Sequence, residues 1–163
     1  MIYEVTGDIL LSDAKAIAHG VAPNEHFDSG LALSLREQWP SLSKDYRHYA
    51  HQVHPKAGEL WTWTATNGLR VFNLITQDGD HGHGSRPGKA TVPNVNHSLK
   101  RLRHEIEKEK ITSLAIPALA TGVGCLSWKE VKPLIDQHLG DLNIPIYVYS
   151  KFQKGLKASE KKQ

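Results

Sequence analysis

Ile17-Ala18-His19-Gly20-Val21-Ala22-Pro23-Asn24-Glu25-His26-Phe27-Asp28-Ser29-Gly30-Leu31-Ala32 is the stretch on which the fold turns. Residues 14–19 form a short apolar run that reads as a buried strand, and Gly20, Pro23 and Asn24 then break the chain into a polar loop. Ser29-Gly30 follows, and Leu31, Leu33 and Leu35 open a helix expected over about 29–38, stopped by Trp39-Pro40. Strand, loop, glycine turn and helix start leave several backbone N–H groups unpaired at the positive end of a helix dipole. That arrangement holds a phosphate without a charged side chain.

The rest of the chain supplies partners for this unit. Residues 2–5 read as a first strand, and the turn Thr6-Gly7-Asp8-Ile9-Leu10 follows; Asp8 either caps that turn or accepts from a ligand amine. A second helix is expected from about residue 41, carrying Leu42, Tyr46 and Tyr49. Residues 58–66 and 69–75 read as two strands joined by the hairpin signal Asn67-Gly68. Residues 76–92 are Gly- and His-rich and without periodicity, too long for a plain connector, and are expected to form a lid or functional loop. Pro93 suits the first turn of an amphipathic helix with Val95, Leu99, Leu102 and Ile106 inward.

Residues 113–116 are a short buried strand, and Ala120-Thr121-Gly122-Val123-Gly124 makes a second small-residue loop after it. Ser127 and Glu130 have capping-box spacing, and the helix they start carries Val131, Leu134, Ile135 and Leu139 inward and ends at Gly140, with a bend expected at Pro133. Residues 144–149 close the domain as a last strand, with Pro145 placing it at an edge or at a strand start. Alternating strands and helices imply an α/β layered domain with a mostly parallel sheet plus the hairpin. In such sheets ligands sit beyond the carboxyl ends of the strands, where both glycine loops fall.

Composition excludes several classes. The 163 residues suit one domain, and 39% apolar and 23% charged residues are ordinary for a globular protein. No run is apolar and long enough to span a membrane, and the N-terminus lacks a signal-peptide pattern, so a cytoplasmic protein is expected. The lone Cys125 forms no internal disulfide. The net charge of +3 is modest, forms no clear nucleic-acid stripe, and lies partly in residues 157–162, so 151–163 are expected to be a disordered basic tail behind a domain of residues 1–150. The loops match neither a nucleoside-triphosphate loop nor a dinucleotide fingerprint. Asp80-His81-Gly82-His83 lacks the ligand set of a structural zinc, and no metal or cofactor is expected.

Four features in this order resemble a macrodomain: the Gly7-Asp8-Ile9 turn, the loop at 17–32, the Gly122-Val123-Gly124 loop after a strand ending in Pro117, and Tyr147-Val148-Tyr149. The resemblance implies a three-layer α/β/α fold with a mixed, mostly parallel sheet that binds ADP-ribose. It is similar above all to the branch that includes the terminal ADP-ribose protein glycohydrolase, through Ile17-Ala18-His19, Gly30-Leu31-Ala32 and Leu74-Ile75-Thr76. Carried over by residue, it implies that Asp8 and Ile9 meet the adenine and Tyr149 packs near it. Val21, Ala22, Ser29, Gly30 and Leu31 would line the diphosphate and distal ribose on one side, and Thr121, Gly122, Val123, Gly124 and Cys125 on the other.

Catalysis departs from that pattern. Gln77 stands where the branch has a nucleophilic Lys and cannot form a Schiff base, and the Asp beyond the Gly-x-Gly loop is replaced by Cys125-Leu126-Ser127. A general acid or base is therefore sought in the long loop, at Asp78, Asp80 or His81. Three functions stand open: a hydrolase removing ADP-ribose from protein or nucleic acid, a non-catalytic ADP-ribose reader, and a phosphatase acting on ADP-ribose 1''-phosphate. The expected partners are ADP-ribose or an ADP-ribosylated macromolecule, and a monomer is favoured.

Overall fold

The computed structural model describes residues 1–79 and 86–160. Six strands form one sheet: β1 (Ile2–Gly7), β2 (Ala16–Val21), β3 (Leu60–Thr64), β4 (Arg70–Ile75), β5 (Leu114–Pro117) and β6 (Ile146–Phe152). Their order is β1-β6-β5-β2-β4-β3, parallel throughout except for the β3–β4 hairpin. The helices are α1 (Gly30–Gln38), α2 (Pro40–Val53), α3 (Val92–Lys108) and α4 (Trp128–Leu139).

The period-2 alternation of strand side chains divides the core between two faces. Ala16 and Ala18 of β2, Phe72 and Leu74 of β4, Leu114 and Ile116 of β5, and Ile146 and Val148 of β6 face α3 and α4. Those helices return Val95, Leu99, Leu102 and Ile106, and Val131, Ile135 and Leu139. The opposite face takes Val71 and Ile75 against Leu35, Leu42 and Tyr46 of α1 and α2. Thr91 accepts from the Asn94 amide to start α3, and the Ser127/Glu130 capping box starts α4, which continues through Pro133 as one helix.

Two sequence expectations are corrected. Pro145 precedes a strand that is interior, between β1 and β5, so only its reading as a start position holds. Its missing N–H costs nothing there, because its carbonyl accepts from Leu114 and the ladder begins at Ile146 N, which donates to Met1 O at 2.8 Å. Residues 151–160 are largely exposed but are tied to the domain through the buried Ala158 and the half-buried Glu160. The half-face carrying Ile17, Ala115, Tyr147 and Tyr149 is completed by Ile9 and Ala158, with Leu31 of α1 packed at its margin. The segment lies so close to Gly7 that a Cβ there would come within 2.8 Å of the Leu156 carbonyl oxygen. Glu160 accepts from Ser12 Oγ at 2.6 Å, Asp13 N at 3.0 Å and Tyr149 Oη at 2.5 Å.

Beneath β2 and β4, His19 is 2% exposed and its Nε2 lies 2.6 Å from Asn73 Oδ1. Asn73 Nδ2 donates to Trp61 O and Val71 O, so Oδ1 is the acceptor and Nε2 carries the imidazole proton. Burial lowers the His19 pKa from 6.5 to about 4. The unfolded chain therefore binds the extra proton between those values, and stability is lost as pH falls from about 6.5 towards 4. The shift corresponds to about 3 kcal/mol. We expect urea midpoints to show this loss in the native protein and a shallower pH dependence in His19→Gln; equal slopes would contradict it. Glu160→Ala is expected to lower stability by about 1.5–3 kcal/mol by removing charge-assisted hydrogen bonds, read in the same unfolding experiment. An unchanged midpoint would mean that the C-terminal segment contributes no cover.

Candidate functional site

The loop after β2 is built to hold an unusual backbone. Glu25 Oε1 accepts from Ala22 N at 3.1 Å and Oε2 accepts from Phe27 N at 3.0 Å, so one carboxyl closes the turn from both ends. Phe27 is 1% exposed, has a left-handed φ of 54°, and packs edge-on to Tyr46 at 5.7 Å. Tyr46 Oη in turn donates to Ala22 O at 2.8 Å, and burial pushes its phenol pKa well up. The loop after β5 is also wound tightly, with Ala120 and Cys125 at φ 63° and 66° and Leu126 N donating to Ala120 O at 3.0 Å. Left-handed non-glycine residues each cost on the order of 1 kcal/mol or more and persist where the surroundings enforce them.

Between these loops, at the carboxyl ends of β2 and β5, runs a cleft with two joined chambers. One, of about 350 Å³, lies against Ser29, Val123 and Gly124, with Glu25, Gln77 and Arg86 at its far end. The other, of about 460 Å³, is lined by Ile9, Leu10, Thr121, Tyr149 and Phe152. Gly30, Leu31, Pro117, Ala118 and Gly122 belong to both and form the waist. Nothing lies within 4 Å of where a Gly122 Cβ would stand, so that position faces open cleft.

The electrostatics of the first chamber are mixed. Arg86 brings a permanent positive charge to its rim. Burial raises the Glu25 pKa above its ordinary 4.5, against the two amide hydrogen bonds that lower it. His19, in the chamber floor, stays neutral. Gln77 is 5% exposed and its Nε2 donates to Gly88 O at 2.9 Å. No group of His, Cys, Asp and Glu side chains among the described residues is arranged to hold a metal ion.

Of the residues expected from sequence, Ile9, Ser29, Gly30, Leu31, Thr121, Gly122, Val123, Gly124 and Tyr149 line the cleft. Val21 and Ala22 are fully buried beneath the loop; Val21 O is occupied by Thr76 N and Gln77 N. Cys125 is exposed, with its thiol turned to Val123 O at 3.3 Å. Asp8 acts as a turn cap: Oδ1 accepts from Leu10 N and Oδ2 from Gly155 N, both at 3.0 Å. Asp78 points to α3, where it accepts from Asn94 Nδ2 at 3.0 Å, and is not a lining residue. Asp80 and His81 lie outside the described residues. Glu25, Arg86 and Phe152 were missed; a loop whose amides lack strand partners needs an acceptor, and Glu25 was the carboxylate within it.

The comparisons place this architecture among known proteins. The chain is 26% identical over 164 residues to a DNA ADP-ribosyl transferase–DNA ADP-ribosyl glycohydrolase fusion protein of Thermosipho africanus, covering 92% of this chain and 42% of that one. It is 25% identical over 153 residues to a DNA ADP-ribosyl glycohydrolase of Thermus aquaticus, covering 91% and 41%. It is 22% identical over 148 residues to the human ADP-ribose glycohydrolase OARD1, covering 90% and 89%. The chain thus spans about two-fifths of the length of the DNA ADP-ribosyl glycohydrolases it matches. Among solved structures, the macrodomain of Thermus aquaticus DarG superposes with a TM-score of 0.80 at 24% identity, over 92% of this chain and 98% of that one. Thermosipho africanus DarTG in complex with ADP-ribose gives 0.78 at 21%, over 96% and 42%. A scan of protein-family models finds no match. With a six-stranded sheet of this order between two helical layers and a cleft between its two loops, the chain has the macrodomain fold.

Proposed function

We propose that the cleft binds ADP-ribose and that the protein is a hydrolase releasing ADP-ribose from a modified macromolecule, nucleic acid foremost. The observation that carries this reading is the two-chambered cleft with the half-buried, raised-pKa carboxyl of Glu25 in one chamber. The adenine occupies the chamber of Ile9, Tyr149 and Phe152, whose aromatic and aliphatic walls suit a base. The diphosphate crosses the waist at Gly30 and Gly122, where the start of α1 and the loop before α4 present backbone. Arg86 balances its charge from the rim. The distal ribose then lies beside Glu25 and Gln77. Asp8 holds the Ile9–Leu10 turn in shape, and each of its oxygens keeps a second lone pair for a ligand amine.

Glu25 is the general base of this reading. Its raised pKa makes it a stronger base than an exposed carboxylate, and the Ala22 and Phe27 amides fix its plane. It takes a proton from a water that attacks the ribose anomeric carbon, while the bond from that carbon to the macromolecule breaks and the leaving group departs with its electron pair and takes up a proton. Gln77 cannot attack the sugar and serves to orient it. The names of the relatives, DNA ADP-ribosyl glycohydrolase and ADP-ribose glycohydrolase, support the same class of substrate. A binding module without turnover is favoured by Gln77 alone, and release of free ADP-ribose from modified DNA and modified protein separates the two.

Two variants test the assignment. Gly122→Glu fits the free fold, because its Cβ enters open space, but sets bulk and negative charge at the waist. We expect calorimetric ADP-ribose binding to vanish with the melting temperature within about 2 °C of the native value; normal binding would place the diphosphate elsewhere. Glu25→Gln keeps one of the two amide hydrogen bonds and is expected to lower turnover by about 10²–10⁴; ADP-ribose affinity titrated in parallel separates loss of the base from loss of the loop's shape. In the native protein, activity needs the carboxylate, so it falls as pH drops through a value above 4.5. Full turnover in Glu25→Gln would remove Glu25 from the reaction.

A further inference from the structure

On the β3 side of the sheet, α3 and the chain at 56–59 enclose a groove of about 540 Å³ that the cleft chemistry does not use. Its helix wall is His97, Lys100, Arg101 and His104, spaced three, one and three apart and therefore on one face of α3, opposite the buried Leu99, Leu102 and Ile106. Lys56 faces them from the other wall. On the neighbouring helix faces Arg103 pairs with Glu107 and Asp141, and Lys132 with Asp136. Among the described residues, Lys56, Lys100 and Arg101 take part in no ion pair. The groove's one carboxylate, Glu59, is held by the Lys56 backbone amide at 2.7 Å.

We propose that this groove binds the phosphate backbone of a single-stranded nucleic acid. Three cations and two histidines lining one groove, with its one carboxylate tied to the backbone, are the electrostatic footprint of a polyanion. The choice of nucleic acid over another polyanion rests on the proposed function, through the position of the groove. Gly58 N donates to Ile75 O at 2.7 Å, and Ile75 pairs with Val21 at the end of β2, where the cleft begins. Groove and cleft thus open at the same end of the sheet, separated by two strand spacings, roughly 10 Å. One strand carrying ADP-ribose in the cleft reaches the groove with its adjoining phosphates. The substrate is then held at two places, by its sugar–diphosphate and by its backbone.

A short fluorescent single-stranded oligonucleotide lacking ADP-ribose tests the groove by anisotropy across a salt series, with calorimetric titration of ADP-ribose in parallel. The native protein is expected to bind the oligonucleotide with a negative salt slope. Lys100→Glu/Arg101→Glu is expected to weaken it at least about tenfold and to flatten the slope by about 1.4, at roughly 0.7 per lost phosphate contact, with ADP-ribose affinity unchanged. Lys56→Glu, on the opposite wall, is expected to act in the same direction and decides the matter if the double variant does not fold. Equal oligonucleotide affinity in a folded variant would overturn the proposal, as would a native protein that prefers an acidic peptide of similar charge. Absence of ADP-ribose binding in the native protein would overturn the cleft reading instead, and leaves the anisotropy to judge the groove by itself.

Discussion

The Glu25 carboxyl, closing the turn between Ala22 N and Phe27 N, is the interaction on which the site depends. Residues 22–30 leave a parallel sheet and gain no ladder partners, so their amides need an acceptor that burial does not defeat. Glu25 supplies it, and Phe27, driven into the core against Tyr46 and near His19, keeps the loop from lifting. The same carboxyl that shapes the loop is left with lone pairs facing the chamber. Its desolvation, which is unfavourable for the loop, raises its pKa, and under the proposed function the same group is the base.

That anchoring is matched on the other half of the same sheet face by the C-terminal segment. α1 and α2 cover β2 and β4, while Tyr147, Tyr149 and Ile17 are covered by Ile9 and Ala158. Because Gly155 N donates to Asp8 and Glu160 accepts from Tyr149, the cover is tied to two residues at the second chamber's end of the cleft. The shape of that chamber is therefore set by chain beyond the sheet, through hydrogen bonds made at the end of β1 and in β6. The burial that raises the Tyr149 phenol pKa, reinforced by Glu160, keeps that hydroxyl a donor.

Local pattern was legible where it reflects periodicity or turn chemistry. The Asn67-Gly68 hairpin, the i, i+3, i+4 spacing on α3 and the Ser127/Glu130 box each depend on residues close in sequence, and all three are present. The interior place of β6 was not legible, since Pro145 looks the same before an edge strand and before a central one. Charged composition misled at the C-terminus: Lys157 pairs with Asp13, nearly the whole chain away, and lysines close in sequence carry no sign of such a partner. At the site, the two glycine loops were readable, but the search for a base went to the acid-rich long loop and passed over a single Glu among polar neighbours. The cations of α3 form a groove only because Lys56, distant in sequence, returns beside them.

The substitution at position 77 follows from the same physics. Gln77 sits at the end of β4, 5% exposed, bridged to Ala90 and donating to Gly88 O. A lysine there would have to shed most of its hydration beside a neutral His19, and would survive only with a strongly lowered pKa or a nearby carboxylate. An amide meets the same burial with a hydrogen bond and no charge. With no cation at that point, the upward pKa shift of Glu25 is not offset by a neighbouring ammonium. Under the proposed function, the chemistry open to such a chamber is proton removal from water rather than attack by an amine.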